Sequence, residues 1–331
     1  MYAVAPILLG ALLNLGTAAL PPGPSLTESS PAETDVEEDT PFRFAVFSDL
    51  TGGERPRVFE IAIAQLNLLR PELILNVGDL VEGETDDRDE LNRQWDDFDQ
   101  RAAHARAPVY YVGGNHDLAG EVMQAVWDER NGPRYYHFIH RKVLFLVLDT
   151  EDHTPERTRE LERMRTEALA RVPEEGWGAL RDSDYGRAPE YSAGNISAGQ
   201  ATYFREVIAA NPDVRWTFLF LHKAAWERHG GTPFSDIEDA LADRPYTVFH
   251  GHEHAYRHQQ RRGRDYIRLA TTGGVQLPAK GRSMDHITLV TVSDNGVDIA
   301  NLLLSGILDK TGHIPLNGDD VCFESARCES D

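Results

Sequence analysis

Tyr110-Tyr111-Val112-Gly113-Gly114-Asn115-His116-Asp117 is an apolar, β-prone run that ends in two glycines and then presents an amide, an imidazole and a carboxylate in succession. A strand that stops at a site reads this way, and so does an ordinary turn with solvated polar residues. The pattern recurs along the chain. Arg43-Phe44-Ala45-Val46-Phe47 runs into Ser48-Asp49, and Leu73-Ile74-Leu75-Asn76-Val77 into Gly78-Asp79. Thr217-Phe218-Leu219-Phe220-Leu221 runs into His222, and Tyr246-Thr247-Val248-Phe249 into His250-Gly251-His252-Glu253-His254. Each apolar run therefore ends in a side chain able to bind a metal. In α/β sheets the carboxyl ends of strands share one edge, where ligands bind, so ends scattered in sequence can converge in space.

In this order and at these distances, Asp49, Gly78-Asp79, Gly114-Asn115-His116-Asp117, His222 and Gly251-His252-x-His254 resemble the calcineurin-like metallophosphoesterase superfamily, over roughly residues 42 to 304. The resemblance implies an α/β fold, a four-layer α-β-β-α sandwich of two mixed β-sheets flanked by helices. It implies two divalent ions, with Asp49 and His254 as ligands of the first, Asn115, His222 and His252 as ligands of the second, and Asp79 as the bridging carboxylate. Carboxylate, imidazole and amide donors without thiolate suit Mn, Fe or Zn. Two such cations about 3.5–4 Å apart lower the pKa of a bound water, the nucleophile, and clamp the attacking and leaving oxygens of a phosphoryl displacement. The implied reaction is phosphoester hydrolysis. His116 would face the substrate, donating a proton to the leaving oxygen or bonding a phosphate oxygen, with Asp117 orienting it.

One position departs from the pattern. The superfamily's first motif is usually Asp-x-His, whereas this chain reads Asp49-Leu50-Thr51. A neutral hydroxyl is a poor ligand beside imidazole, so the first ion is expected to bind more weakly, with Thr51 as a weak ligand or Glu54 reaching in as a substitute. The rival reading is a metal- or ligand-binding module of the same fold with weakened catalysis; a further alternative is a nucleotide pyrophosphatase or nucleotidase. Purple acid phosphatases place a Tyr three residues after the bridging Asp, where this chain has Glu82, so an iron-tyrosinate centre is not expected.

With 54 acidic and 33 basic residues the net charge is -21, a field that repels polyanions. A small phosphorylated substrate is expected rather than nucleic acid. Residues 4 to 15 are apolar apart from Asn14, and Thr17-Ala18-Ala19 offers small residues for a signal peptidase, so residues 1–20 read as an export signal and the mature protein as periplasmic or secreted. The alternative, an uncleaved membrane anchor, is short for a spanning helix and holds Pro6 and Gly10. Residues 21–41 form an acidic, Pro-rich linker too poor in apolar groups to order itself, followed by the catalytic domain over 42–308. The tail, 309–331, carries both cysteines, Cys322 and Cys328; a lone pair in an exported chain predicts a disulfide, whose loss should cost little activity.

Within the domain, Phe59, Ala62, Ile63, Leu66 and Leu69 recur at helical spacing until Pro71, and Leu91, Trp95 and Phe98 mark a second helix, giving a β-α-β-α-β order that predicts parallel pairing. Residues 143–148 form a further strand ending in Asp149, taken as structural or as a support behind the metal ligands. Residues 151–195 leave the regular rhythm, as either an active-site lid or padding over a core face. Ser197 and Gln200 read as a capping box. Asp294-Asn295-Gly296 turns a hairpin expected to supply the second sheet. His250 is expected in the core, and the amides of Thr271-Thr272-Gly273-Gly274 either near a phosphate or in a plain turn.

Overall fold

The computed structural model describes residues 40–324. The export signal, nearly all of the linker and Cys328 lie outside those residues. Eleven strands form two sheets: β1 (Phe42–Val46), β2 (Leu73–Leu75), β3 (Val109–Tyr110), β4 (Tyr136–His140), β5 (Val143–Val147), β6 (Trp216–Phe220), β7 (Tyr246–His250), β8 (Arg257–Arg261), β9 (Arg264–Arg268), β10 (His286–Ser293) and β11 (Gly296–Leu303). The first sheet has the order β11-β10-β1-β2-β3 and the second β4-β5-β6-β7-β9-β8. The ladders β1-β2-β3 and β5-β6-β7-β9 are parallel, and the outer strands pair antiparallel, so both sheets are mixed.

Two-residue periodicity sorts each strand between layers. Phe42, Phe44 and Val46 of β1 face the second sheet, where Phe145, Phe218, Phe220 and Phe249 meet them, while Ala45 and Phe47 face outward. On β5, Val143, Phe145 and Val147 point inward and Leu144, Leu146 and Leu148 outward. The rings of Phe44 and Phe218 lie 4.8 Å apart, edge to face. Each such fully buried side chain contributes about 1.5–3 kcal/mol of transfer free energy. Both strand faces are apolar because each sheet is covered twice.

The outer layers are helical. Against the first sheet lie α1 (Val58–Leu69), α2 (Arg88–Ala102), α3 (Asn115–Leu118) and α4 (Glu121–Arg130), which supply Phe59, Leu66, Trp95, Phe98, Leu118 and Trp127 to one core. The 151–195 insertion carries α5 (Pro155–Leu169), the single turns α6 (Val172–Glu175), α7 (Gly178–Arg181) and α8 (Asp184–Arg187), and a 3-10 turn at Pro189–Tyr191. The second sheet is covered by α9 (Ala198–Ala210) and α10 (Phe234–Ala240). The four-layer α-β-β-α sandwich is as expected. No helix among the described residues is long and apolar enough to cross a membrane.

Three local expectations are corrected. The β10-β11 hairpin does not start a second sheet: β10 pairs antiparallel with β1 and extends the first one. Ser197 caps α9 by accepting the Gln200 N–H at 3.1 Å, but the Gln200 side chain turns to the Asp149 backbone instead of closing the box. The tail is not peripheral, because Phe323 and Ile314 are buried against α1, and Arg55 and Gln276 donate to the Cys322 and Phe323 carbonyls. Cys322 is disulfide-bonded. Asp149 is structural as expected: its carboxylate accepts the Glu151 N–H and faces Arg134 at 3.4 Å.

Buried His286 makes stability acid-sensitive. Its Nε2 accepts the Ala270 N–H at 3.0 Å, and burial, with Arg282 nearby, pushes its pKa down to about 4 from 6.5. The unfolded chain therefore takes up this proton first, so stability is complete above about pH 6.5 and is lost as pH falls toward 4, by up to about 3 kcal/mol. Denaturant unfolding across that interval should show a steeper loss for wild type than for His286→Gln; equal slopes would refute this assignment.

Candidate metal centre

The site lies along the carboxyl edge shared by the two sheets. Asp49 follows β1, Asp79 follows β2, Asn115 opens α3 just beyond β3, His222 follows β6, and His252 and His254 follow β7. Asp49, Asp79, Asn115, His222 and His254 are at most 6% exposed. Two groups of potential ligand atoms fall within 4.8 Å of one another, Asp79 with His222 and His252, and Asp49 with Asp79 and His254. Asp79 belongs to both, as its bridging assignment requires. Asn115 Oδ1 lies 3.1 Å from His222 Nε2, which places the amide in the group with His222 and His252.

Backbone carbonyls set the three imidazoles. His222 Nδ1 donates to the Val77 carbonyl at 2.8 Å, His254 Nδ1 to Val275 at 2.6 Å, and His252 Nε2 to Tyr191 at 2.8 Å. In each ring the other nitrogen is turned toward the cluster, where a metal ion would take its lone pair. Asp49 Oδ1 accepts the His252 N–H at 2.8 Å and lies 3.5 Å from His254 Nε2.

The backbone is bent to achieve this. Asp79, His252 and His254 adopt φ of 58°, 74° and 50°, the left-handed region. For residues with a Cβ that conformation costs roughly 1–2 kcal/mol each, held here by surrounding bonds. Gly114 and Gly251 are needed for a different reason: a Cβ on the first would collide with the Asp79 carboxylate, and on the second with that of Asp49.

The electrostatics also favour a cation. Burial pushes the Asp79 carboxyl upward, but His222 and His116 outweigh it and hold the group well below its ordinary value. Burial opposes the charge on His222 as well, and Asp79 overrides it, raising the imidazole to about 9. Asp79 Oδ2, Asn115 Oδ1 and His222 Nε2 thus converge on one point, which a proton or a metal ion must fill. The donor chemistry fits a borderline divalent metal.

The Thr51 hydroxyl is buried and has no hydrogen-bond partner among the described residues. Glu54 does not substitute for it, because its carboxylate pairs with Arg101 and its N–H donates to Glu82. The Thr271 to Gly274 turn is also not a phosphate cradle: the Thr272 and Gly274 amides both donate to the Asp49 carbonyl at 3.1 Å. His250 is core as expected, packed edge-on against Trp226 and pushed down to about 3 by burial.

His116 borders the cluster with its side chain 15% exposed. Its N–H donates to Asp79 Oδ1 at 2.9 Å, and its ring Nδ1 donates to the Glu82 carbonyl at 2.8 Å. Its Nε2 lies 3.6 Å from where a Gly52 Cβ would stand, a point that is also 3.3 Å from His254 Cε1. Asp117 does not orient this ring. Its carboxylate accepts the N–H groups of Gly114, Asp79, Leu80 and Val81 at 2.7–3.1 Å, locking the turn after β2 onto the turn after β3. The acid facing the ring is Glu84, 3.5 Å from Nδ1 and itself ion-paired with Arg165 of the insertion. Sequence reasoning passed over both, though Arg165 occupies the Leu161-Arg165-Ala168 stripe of α5, where a buried cation is a signal. The insertion therefore touches the site at Arg165 and at Tyr191.

A buried carboxylate common to two ligand groups at a shared strand edge is an arrangement able to hold divalent metal. The Calcineurin-like phosphoesterase family model matches residues 42–256, and the chain belongs to that family. The fold is similar to that of a dimetal phosphatase from Danio rerio, at 15% identity over 79% of this chain and 96% of that one, with a TM-score of 0.53. It is also similar to purple acid phosphatase PPD1 from yellow lupin (Lupinus luteus) seeds, at 11% identity over 80% of this chain and 52% of that one, TM-score 0.52. No curated protein matches the sequence.

Proposed function

We propose that the protein is a two-metal hydrolase of small phosphoesters. The first ion would be held by Asp49, Asp79 and His254, and the second by Asp79, Asn115, His222 and His252. The observation that carries this is the membership of Asp79 in both ligand groups. When bound, two divalent ions of Mn, Fe or Zn supply Lewis-acid charge and a water of lowered pKa. The chain's own part is to fix three imidazole tautomers through backbone carbonyls and to exclude bulk water from Asp49, Asp79 and His222. With Nδ1–H held from behind by the Glu82 carbonyl and Glu84, the imidazolium form of His116 would give its Nε2 proton to the leaving oxygen and be left neutral. A net charge of -21 supports small substrates over nucleic acid, and the apolar residues 1–20 support export.

The unpartnered Thr51 hydroxyl favours a weak first position. Metal analysis of the full chain, paired with aryl monoester, aryl diester and nucleotide substrates, tests the reading. The expected result is two ions in excess metal, one of them lost on dialysis, with hydrolysis tracking the second equivalent. Thr51→Val separates the possibilities at that position: unchanged affinity means that the hydroxyl is not a ligand. Saturation at a single ion with no hydrolysis of any substrate would favour the weakened binding module instead.

A further inference from the structure

The insertion is stapled to the second ligand group through one buried carboxylate. Glu190 is 3% exposed, in the 3-10 turn Pro189–Tyr191. Its Oε1 accepts from Arg157 Nε at 3.2 Å and Arg228 Nη2 at 2.7 Å, and its Oε2 accepts from Arg157 Nη2 at 2.8 Å. Arg157 belongs to the first turn of α5, and Arg228 to the loop that follows His222. The Glu190 backbone is held as well, because Lys223 Nζ donates to its carbonyl at 2.9 Å while pairing with Glu151 at 2.8 Å. Lys223 is the neighbour of His222. The next carbonyl along, that of Tyr191, accepts the His252 Nε2–H. The His252 imidazole and Lys223, the chain neighbour of His222, are thus tied to two consecutive residues of the insertion, and the His222 and His252 rings lie 5.1 Å apart, edge to face.

We infer that Glu190 is a positioning residue for the second ion: by fixing the Pro189–Tyr191 turn it fixes the carbonyl that orients His252, so the insertion sets how tightly that ion is held. This rests on the two-ion reading above. The ion pairs add support: burial acts upward on the Glu190 carboxyl, yet Arg157 and Arg228 hold it down at about 2. Both arginines stay bound to it throughout the neutral range. Among the described residues the first ligand group has no such tie to the insertion, since His254 is oriented by Val275 next to the core turn. A purely structural salt bridge would stabilise the insertion without discriminating between the two positions.

The test is calorimetric titration of the metal-free full chain with Co(II), for wild type, Glu190→Gln, Arg157→Lys and Glu160→Gln. Arg157→Lys keeps the charge but loses the forked contact. Glu160→Gln is the control, since it removes only the exposed partner of Arg157. Outer contacts to metal-bound histidines are worth roughly 10–100-fold in affinity. Glu190→Gln should therefore weaken the second position about tenfold and leave the first unchanged, Arg157→Lys should do so to a smaller extent, and Glu160→Gln should do nothing. Proton NMR of the Co(II) protein supplies a second readout: wild type should show three shifted, solvent-exchangeable ring N–H signals, and in Glu190→Gln the His252 signal should broaden through exchange. Equal weakening of both positions, or unchanged affinity with all three signals intact, would overturn the inference while leaving the two-ion reading in place. A wild-type chain that takes up no divalent ion would remove both. Should Glu190→Gln fail to fold, Arg157→Lys decides by the same criteria.

Discussion

Asp79→Asn should abolish hydrolysis, with a loss on the order of a thousandfold or more at saturating metal. The carboxylate is 2% exposed and stands in both ligand groups, so removing its charge weakens both positions at once. Oδ2 faces His222 Nε2 at 3.1 Å, and Oδ1 accepts the His116 N–H, so the change also loosens the residue that borders the ligand cluster. An amide preserves the shape but gives up the anion and sets an NH₂ group against one of these partners. Several kcal/mol of transition-state stabilisation rests on metal charge in two-ion sites, and about 1.4 kcal/mol corresponds to a factor of ten. The measurement is kcat with an aryl ester together with metal content after desalting. Wild-type kcat with both ions retained would mean that the ligand assignment is wrong.

The second large effect concerns His116. As a general acid it should be worth roughly 10²–10⁴-fold, and the loss should depend on the leaving group. His116→Ala should cost most with poorly acidic alcohols or phenols, which need the proton, and least with a nitrophenol that departs as an anion. The ring geometry supports this. Nδ1–H is committed to the Glu82 carbonyl with Glu84 3.5 Å away, so only Nε2 is free to act on a substrate. Gly83, at φ 62°, lets the loop wrap this closely, because a Cβ there would collide with the His116 carbonyl. A rate series over leaving groups of graded acidity is the measurement. The same loss for every leaving group would assign His116 to phosphate binding alone, and metal content should stay at the wild-type value in either case.

Asp79 could be singled out as a candidate because a hydrophobic strand ending in Gly-Asp is a local pattern, and the same holds for Asn115, His222, His252 and His254; the resemblance supplied their implied metal roles. The architecture was legible in part on similar grounds: apolar strand runs and helix periods are properties of neighbouring residues and indicate the β-α-β-α-β order, while the four layers were what the family resemblance implied. The Asp-x-Thr departure was also visible in the chain itself, and the structure adds that the Thr51 hydroxyl is buried and unpartnered.

What the sequence could not decide was partnership across long separations. Asp117 was assigned to its neighbour His116, yet it binds four amides, of which three lie 36 to 38 residues away. The acid near His116 is Glu84, and the arginine behind that acid is 81 residues further on. Glu54 looked close enough to help Thr51 but is drawn off by Arg101, which α2 delivers from the far side of its loop. The hairpin's turn was plain in Asp294-Asn295-Gly296, whereas the sheet that it joins depended on which edge lay open beside β1. Local pattern determined which residues are chemically capable, because strand endings and helix faces are set by near neighbours. Only the tertiary structure decided which of them act on one another, because a carboxylate takes whichever donor the packed layers bring to it.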